Sequence, residues 1–138
     1  MAVIEKPIKL KGSKGEADVV AIFDSGATYS CIQPKLAEKL GITEPLPEPK
    51  HFGTAEARVS LDFNLDGYTF SDEFMVIPGL SDPVIIGAKT LQAWRMKLDF
   101  ENDEVIIDPR VTKLRLLCLH QARGVSAPFK RRKDVEKN

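Results

Sequence analysis

The chain has 138 residues, of which 43% are hydrophobic and 29% are charged. This length suits one domain with its own core and is too short for two domains of typical size. The 20 basic residues balance the 20 acidic ones, so no overall charge favours nucleic acid or an anionic membrane as a partner.

The N-terminal segment predicts a β-hairpin. Ile4–Leu10 alternates loosely around Pro7, which suits an edge or terminal strand, and Glu16–Phe23 follows after a Gly-Ser-Lys-Gly turn. The segment has no apolar block long enough for a signal peptide, and no later segment is long and apolar enough to span a bilayer. We therefore expect a cytoplasmic protein without a membrane partner.

The end of this hairpin carries the chain's most informative carboxylate. Val19–Phe23 is a short apolar run rich in β-branched residues, typical of a strand that is buried on both faces. It leads into Asp24, and a carboxylate at the mouth of an apolar strand is costly unless it is hydrogen-bonded, paired or used. Gly26 lets the backbone turn and its N–H approach that carboxylate, Ser25 adds a hydroxyl, and Ala27 leaves room behind the turn. Taken alone, the same tripeptide is also typical of an ordinary turn.

A short helix and a stiff loop follow. Pro34 suits the first helical turn, Leu36 and Leu40 fall on one face, and Gly41 ends the helix. Residues 44–53, EPLPEPKHFG, contain alternating prolines and predict an extended loop.

The next segment predicts a second hairpin around Asp66-Gly67. Its apolar residues alternate with polar ones: Val59, Leu61, Phe63, Leu65, Tyr68, Phe70, Phe74 and Val76. The acidic residues between them predict a solvated strand face rather than a calcium site: Asp62, Asp66, Asp72 and Glu73.

A third apolar run, Val84-Ile85-Ile86-Gly87, precedes a helix in which Leu91 and Trp94 share a face. Gly87 permits close backbone approach at the junction of strand and helix. Trp94 is predicted to anchor that helix to the core. Residues 96–107 predict another hairpin.

The two cysteines, Cys31 and Cys118, lie far apart, without a Cys-x-x-Cys spacing. They predict neither a disulfide framework nor a zinc site. Cys31 is predicted to be a small core residue rather than a nucleophile, because no histidine lies near it in sequence to activate it.

Two motifs together indicate a family. Phe23-Asp24-Ser25-Gly26-Ala27 resembles the hydrophobic-Asp-Ser/Thr-Gly-Ala signature of aspartic proteases, and Val84–Gly87 resembles the hydrophobic-hydrophobic-Gly element that passes behind the catalytic loop. One chain carries one such signature, so the resemblance is to single-lobe, retropepsin-like (retroviral-type) members. The helix at Pro34 is closer to the cellular and bacterial members than to the compact viral enzymes.

This resemblance implies a mostly β, closed barrel-like fold with two short helices, completed as a homodimer. Asp24 would be catalytic, with Ser25, Gly26 and Ala27 supporting the loop. Ile85, Ile86 and Gly87 would support it from behind, and Phe52, Gly53 and Thr54 would lie in the flap over an extended polypeptide substrate. One carboxylate would take a proton from water while its symmetry copy, protonated, polarises the scissile carbonyl. Neither cofactor nor metal is implied.

The resemblance predicts a protease domain at residues 1–109 and a C-terminal extension at residues 110–138, ending in a partly disordered basic tail around Lys130–Lys133. A non-catalytic dimerisation or peptide-binding module with the same fold is the alternative. Nucleic-acid binding through the tail ranks below both, so we do not expect a nucleic-acid partner.

Overall fold

The chain divides into two compact units, Met1–Ile107 and Asp108–Asn138. The computed structural model describes residues 3–47 and 55–112. Residues 108–112 are thus the described part of the second unit, and they include a helical turn at residues 109–112. The basic tail of the predicted extension lies outside the described residues.

The described part of the first unit contains nine strands and two helices. In chain order they are β1 (Ile4–Gly12), β2 (Gly15–Phe23), β3 (Cys31–Ile32), α1 (Pro34–Leu40), β4 (Glu44–Pro45), β5 (Ala57–Leu65), β6 (Tyr68–Val76), β7 (Val84–Ile86), α2 (Ala88–Ala93), β8 (Lys97–Asp99) and β9 (Glu104–Ile106).

Six strands close into a barrel. The main sheet has the order β1-β2-β7-β3-β6-β5-β4, and a further pairing joins β1 to β5. That closing pairing is short and runs from Lys9–Lys11 to residues 62–64. Closure leaves β4 as an added strand outside the ring and confirms the barrel-like, mostly β prediction.

The two long hairpins are confirmed. β1 pairs with β2 along its whole length, and β5 pairs with β6 from Ala57↔Val76 to Leu65↔Tyr68. Asp66 and Gly67 connect β5 to β6 with φ of 52° and 85°. Two residues with positive φ give the primed turn whose twist matches that of the flanking strands.

Aromatic rings fill one side of this barrel. Phe63 stacks on Phe70 with ring centroids 5.1 Å apart, and Phe74 meets Phe63 edge-on at 6.5 Å. Trp94 packs edge-on against Phe70 at 5.1 Å, and its indole N–H donates to the Ser71 carbonyl at 3.3 Å. The prediction that Trp94 anchors its helix to the core is therefore confirmed.

The prediction that Val19–Phe23 is buried on both faces is wrong. Ala21 and Phe23 are fully buried, but Val20 is 50% exposed. Val20 pairs with Pro7, which is also exposed. This part of the antiparallel hairpin has one face in solvent, as such sheets commonly do.

Both helices are short. In α1, Ala37 and Leu40 are buried, and Gly41 ends the helix by donating its N–H to the Ala37 carbonyl at 2.9 Å. The predicted hairpin after α2 is present as β8 and β9. Within residues 3–47 and 55–112, we find no helix long and apolar enough to cross a membrane.

Candidate active site

Asp24 lies where β2 leaves the core. Phe23 before it is fully buried, whereas Asp24 is partly exposed and Ser25 is exposed. The parallel pairing of β2 with β7 ends at Phe23↔Ile86, and the Asp24 N–H donates to the Ile86 carbonyl at 3.0 Å. Strand pairing therefore fixes the backbone of Asp24 while its side chain is at the surface.

Residues 24–30, here called the Asp24 loop, begin with a tight turn. The Gly26 N–H donates to Asp24 Oδ1 at 2.8 Å, and the Ala27 N–H donates to the Asp24 carbonyl at 3.2 Å. Both bonds match the turn predicted from Gly26. They orient the carboxylate and leave Oδ2 for other partners.

Gly87 passes against the far end of this loop. Directly after Gly87, the Ala88 N–H donates to the Ala27 carbonyl at 2.6 Å and the Lys89 N–H donates to the Thr28 carbonyl at 3.1 Å. A Cβ at position 87 would lie 2.6 Å from the carbonyl carbon and oxygen of Tyr29. Only glycine allows the two backbones to come this close. The structure thus brings Ile86 and Gly87 against the Asp24 loop.

A buried polar network behind the loop was missed by sequence reasoning. Ser30 Oγ accepts the Gly87 N–H at 3.1 Å and lies 2.8 Å from Thr90 Oγ1, which donates to Asp72 Oδ2 at 2.6 Å. The prediction that Asp72 belongs to a solvated strand face is wrong, because α2 packs over that part of β6. The signal was available: Asp72 lies at the alternate position between Phe70 and Phe74, both fully buried.

A further carboxylate, Asp99, has a local role in a turn. Asp99 accepts hydrogen bonds from Asn102 in the β8–β9 turn, at 3.2 Å to its N–H and 2.8 Å to its side-chain amide. These bonds lower the pKa of Asp99. Within the described residues, no group of three or more His, Cys, Asp or Glu is placed to hold a metal ion. The flap residues Phe52, Gly53 and Thr54 lie outside the described residues.

Two apolar grooves adjoin the Asp24 loop. One, of about 600 Å³, is lined by Ser25 and by residues of α2, of β8 and of the segment directly after each, among them Leu91, Met96, Leu98 and Phe100. A smaller one of about 280 Å³ lies along residues 26–29 and ends at Cys31 and Ile77. The exposed turn is thus flanked by surface suited to apolar side chains.

Cys31 has the character of a core residue. It is 7% exposed, and its thiol donates to the Tyr29 carbonyl at 3.3 Å. Burial raises the pKa of the Cys31 thiol to about 11, so the thiolate is scarce at any physiological pH. A nucleophilic cysteine requires the opposite shift.

We therefore expect Cys31→Ala to leave turnover within about twofold of wild type and to destabilise the fold by only about 1 kcal/mol, the scale of one small buried group. In the wild-type chain, the Cys31 thiol should react with iodoacetamide at pH 8 roughly 100-fold more slowly than a free cysteine, because far less thiolate is present. Site-resolved mass spectrometry measures that rate. A fast reaction, or loss of turnover in Cys31→Ala, would contradict this assignment.

Comparison with known proteins agrees with this geometry. The family model described as aspartyl protease matches residues 7–90. Among solved structures, the retroviral protease-like domain of Ddi1 from Leishmania major is similar at a TM-score of 0.66 and 23% identity, covering 79% of this chain and 90% of that one. EIAV protease complexed with the inhibitor HBY-793 is similar at a TM-score of 0.54 and 16% identity, covering 71% of this chain and 93% of that one. No curated protein sequence matches the chain.

The closed barrel, its Asp-Ser-Gly turn and the glycine passing behind it define a single-lobe, retropepsin-like fold. With most of the barrel inside the matched segment, the chain belongs to the aspartyl protease family.

Proposed function

We propose that the chain is an aspartic endopeptidase whose active site forms at the axis of a homodimer, with Asp24 contributed by each copy. The observation that carries this proposal is the Asp24 carboxylate, oriented by the Gly26 N–H at 2.8 Å and placed at the surface end of a buried strand. Its substrate would be an extended polypeptide. The cytoplasmic compartment stays a prediction from the sequence.

The proposed chemistry needs two carboxylates in different protonation states. Two like charges in close proximity cannot both ionise cheaply, so the Asp24 pair would share one proton. The ionised member would take a proton from the attacking water, while the protonated member polarises the scissile carbonyl. The water then adds to the carbonyl carbon, and proton return to the amide nitrogen allows the C–N bond to break.

Within the described residues, one chain offers one Asp-Ser-Gly turn, so the second carboxylate has to come from another copy. A twofold axis brings identical loops together. The groove beside Ser25 supports this arrangement, because it is apolar and includes Phe100, whose side chain is 48% exposed. We propose that the second copy packs against this surface.

A dimeric active site makes activity depend on chain concentration. Hydrolysis of an unfolded polypeptide should therefore fall faster than in proportion to dilution once the dimer dissociates. Mixing wild-type chains with an equal amount of Asp24→Asn chains and allowing exchange should leave roughly half of the activity, because mixed dimers hold only one Asp24. Sedimentation velocity and initial rates on the same samples measure both effects.

The proposed interface has a matched control. Phe100→Glu places a charge in the groove beside Ser25 and should shift the chain to monomers with loss of cleavage. Ile42→Glu makes the same change at a residue that is 68% exposed in the loop between α1 and β4, and it should leave both dimerisation and cleavage unchanged. Cleavage by chains that sediment as monomers would refute the dimeric site. A folded dimer that binds peptides without cutting them would instead favour the non-catalytic module.

A further inference from the structure

A chain of hydrogen bonds runs from the backbone behind the Asp24 loop to a carboxylate on β6. It starts at the Gly87 N–H, passes through the hydroxyls of Ser30 and Thr90, and ends at Asp72. Ser30 and Thr90 are buried at 2% and 4% exposure. The chain therefore connects the Asp24 loop, the β7–α2 junction, α2 and β6 in a region where an unmade hydrogen bond is costly.

The proton count fixes the direction of this chain. An ionised carboxylate only accepts, so the single hydroxyl proton of Thr90 goes to Asp72 Oδ2 at 2.6 Å. Thr90 Oγ1 must then accept from Ser30 at 2.8 Å, which leaves the Ser30 oxygen to accept from Gly87 at 3.1 Å. The other Asp72 oxygen accepts the Glu73 N–H at 2.8 Å. An ionised Asp72 thus satisfies every link in one direction.

We propose that Asp72 is a positioning residue for Asp24, acting through Thr90 and Ser30 on the backbone at Gly87. At the other end of this hydrogen-bond chain, Gly87 lies between two of the backbone hydrogen bonds that hold the Asp24 loop to this segment: Asp24 N–H to the Ile86 carbonyl at 3.0 Å and Ala88 N–H to the Ala27 carbonyl at 2.6 Å. A change at Asp72 therefore reaches the loop from behind without touching substrate. The inference rests on the proposed function, since it assigns Asp72 a part in the use of Asp24.

The charges around Asp72 make this connection sensitive to pH. Burial raises the pKa of Asp72, the hydrogen bonds from Thr90, Ser30 and the Glu73 N–H lower it in part, and the charge of the neighbouring Glu73 raises it further. Glu73 itself lies 3.9 Å from Arg58 on β5. On α2, Lys89 has its Nζ 5.0 Å from the centre of the Tyr29 ring. Both oxygens of Asp72 now accept hydrogen bonds, whereas a protonated Asp72 has to donate one. The order of donors and acceptors from Gly87 to Asp72 is therefore lost as pH falls through the raised pKa.

Stability and activity should respond to this protonation in opposite directions. With its folded-state pKa raised, Asp72 binds its proton more readily in the folded chain than in the unfolded one. Asp72 therefore stabilises the folded state more, and increases the free energy of unfolding, as pH falls through the raised pKa. Positioning of Asp24 weakens over the same interval. A residue with a purely structural role would move both quantities together.

The test uses Asp72→Asn, an uncharged variant of the same size, in the full chain. We expect kcat to fall about 10-fold to 100-fold with KM changed by less than about threefold, because a displaced loop affects the reaction more than peptide binding. The pH dependence of stability contributed by Asp72 should disappear. Asp62→Asn is the matched control. Asp62 also accepts a hydrogen bond from a hydroxyl, that of Ser71 at 2.9 Å, but it is not part of the hydrogen-bond chain. This variant should keep kcat within about twofold of wild type.

Two further comparisons distinguish an effect of the hydrogen-bond chain from an effect of local packing. Thr90→Ser keeps the hydroxyl and should retain most of the activity, whereas Thr90→Val keeps the shape and should lose as much as Asp72→Asn. The double variant Asp72→Asn with Ser30→Ala should lose less activity than the product of the two single losses, because both substitutions interrupt the same hydrogen-bond chain. If Asp72→Asn fails to fold, the pair at Thr90 decides the question alone.

Amide hydrogen exchange at Gly87 tests the chain without any assay of cleavage. Exchange should become about fivefold to tenfold faster in Asp72→Asn and in Ser30→Ala, the scale of one lost hydrogen bond, and stay unchanged in Asp62→Asn. If Gly87 exchanges faster in these two variants but the wild-type protein cleaves no peptide, the proposed protease function is refuted and the hydrogen-bond chain is retained. Wild-type exchange at Gly87 in Asp72→Asn, or a kcat equal to that of Asp62→Asn, would overturn the role of Asp72.

Discussion

Replacing Asp24 with asparagine is expected to abolish peptide hydrolysis and leave the fold intact. Asparagine keeps the size of the side chain, and its carbonyl oxygen can still accept the Gly26 N–H that Asp24 Oδ1 accepts at 2.8 Å. It cannot take a proton from water or supply one to a carbonyl. A general acid and a general base contribute about 10²-fold to 10⁴-fold each, so a loss of at least about 10⁴-fold is expected.

Asp18→Asn is the matched control for this substitution. Asp18 lies on the same strand, β2, at an exposed position, so its replacement should change kcat/KM by less than about twofold. Circular dichroism and sedimentation show whether each variant folds and dimerises, and initial rates on an unfolded polypeptide show whether it cleaves. An Asp24→Asn variant that cleaves at the wild-type rate would remove Asp24 from the chemistry.

The parts of the fold that the sequence predicts are those fixed by local chemistry. Asp66 and Gly67 both adopt positive φ in a two-residue turn, which is what an Asp-Gly sequence between alternating apolar residues favours. Gly87 is similar, since a glycine after an apolar run predicts close backbone approach, and a Cβ there would meet Tyr29 backbone atoms at 2.6 Å. In both cases one residue's own geometry decides the structure.

The parts that the sequence does not predict depend on contacts between distant segments. Barrel closure needs Lys9–Lys11 to pair with residues 62–64, and alternating strands do not reveal which partner each edge finds. Val20 is exposed although it lies in an apolar run, because exposure depends on which other elements cover the sheet. The packing of α2 on β6 has the same origin.

Asp72 shows how such a contact changes the meaning of a residue. By alternation it shares a strand face with the buried Phe70 and Phe74, and a polar residue there predicts a buried hydrogen-bonding partner. Thr90 is that partner at 2.6 Å. Nothing in the sequence connects two residues 18 positions apart until the helix is known to cross the strand.

Gly87→Ala is expected to disturb the active site through a direct clash with the backbone of the Asp24 loop. The new Cβ would lie 2.6 Å from the Tyr29 carbonyl carbon and oxygen and 2.9 Å from the Ala27 carbonyl oxygen. All three are backbone atoms of the Asp24 loop, so relief requires the loop itself to move. Such overpacking costs about 1–3 kcal/mol of stability, and displacement of the loop should lower kcat about 10²-fold.

Gly15→Ala separates this clash from a general effect of replacing glycine. A Cβ at Gly15 would have the Lys39 carbonyl oxygen as its nearest neighbour, at 3.9 Å, so that variant should stay within about 0.5 kcal/mol of wild type. Thermal unfolding measures the stability of both variants, and cleavage rates at saturating peptide measure the loop. If Gly87→Ala were as stable and as active as Gly15→Ala, the close approach of Gly87 to Tyr29 would not support Asp24. In that case the Asp24 carboxylate would be held by strand pairing and the Gly26 N–H alone.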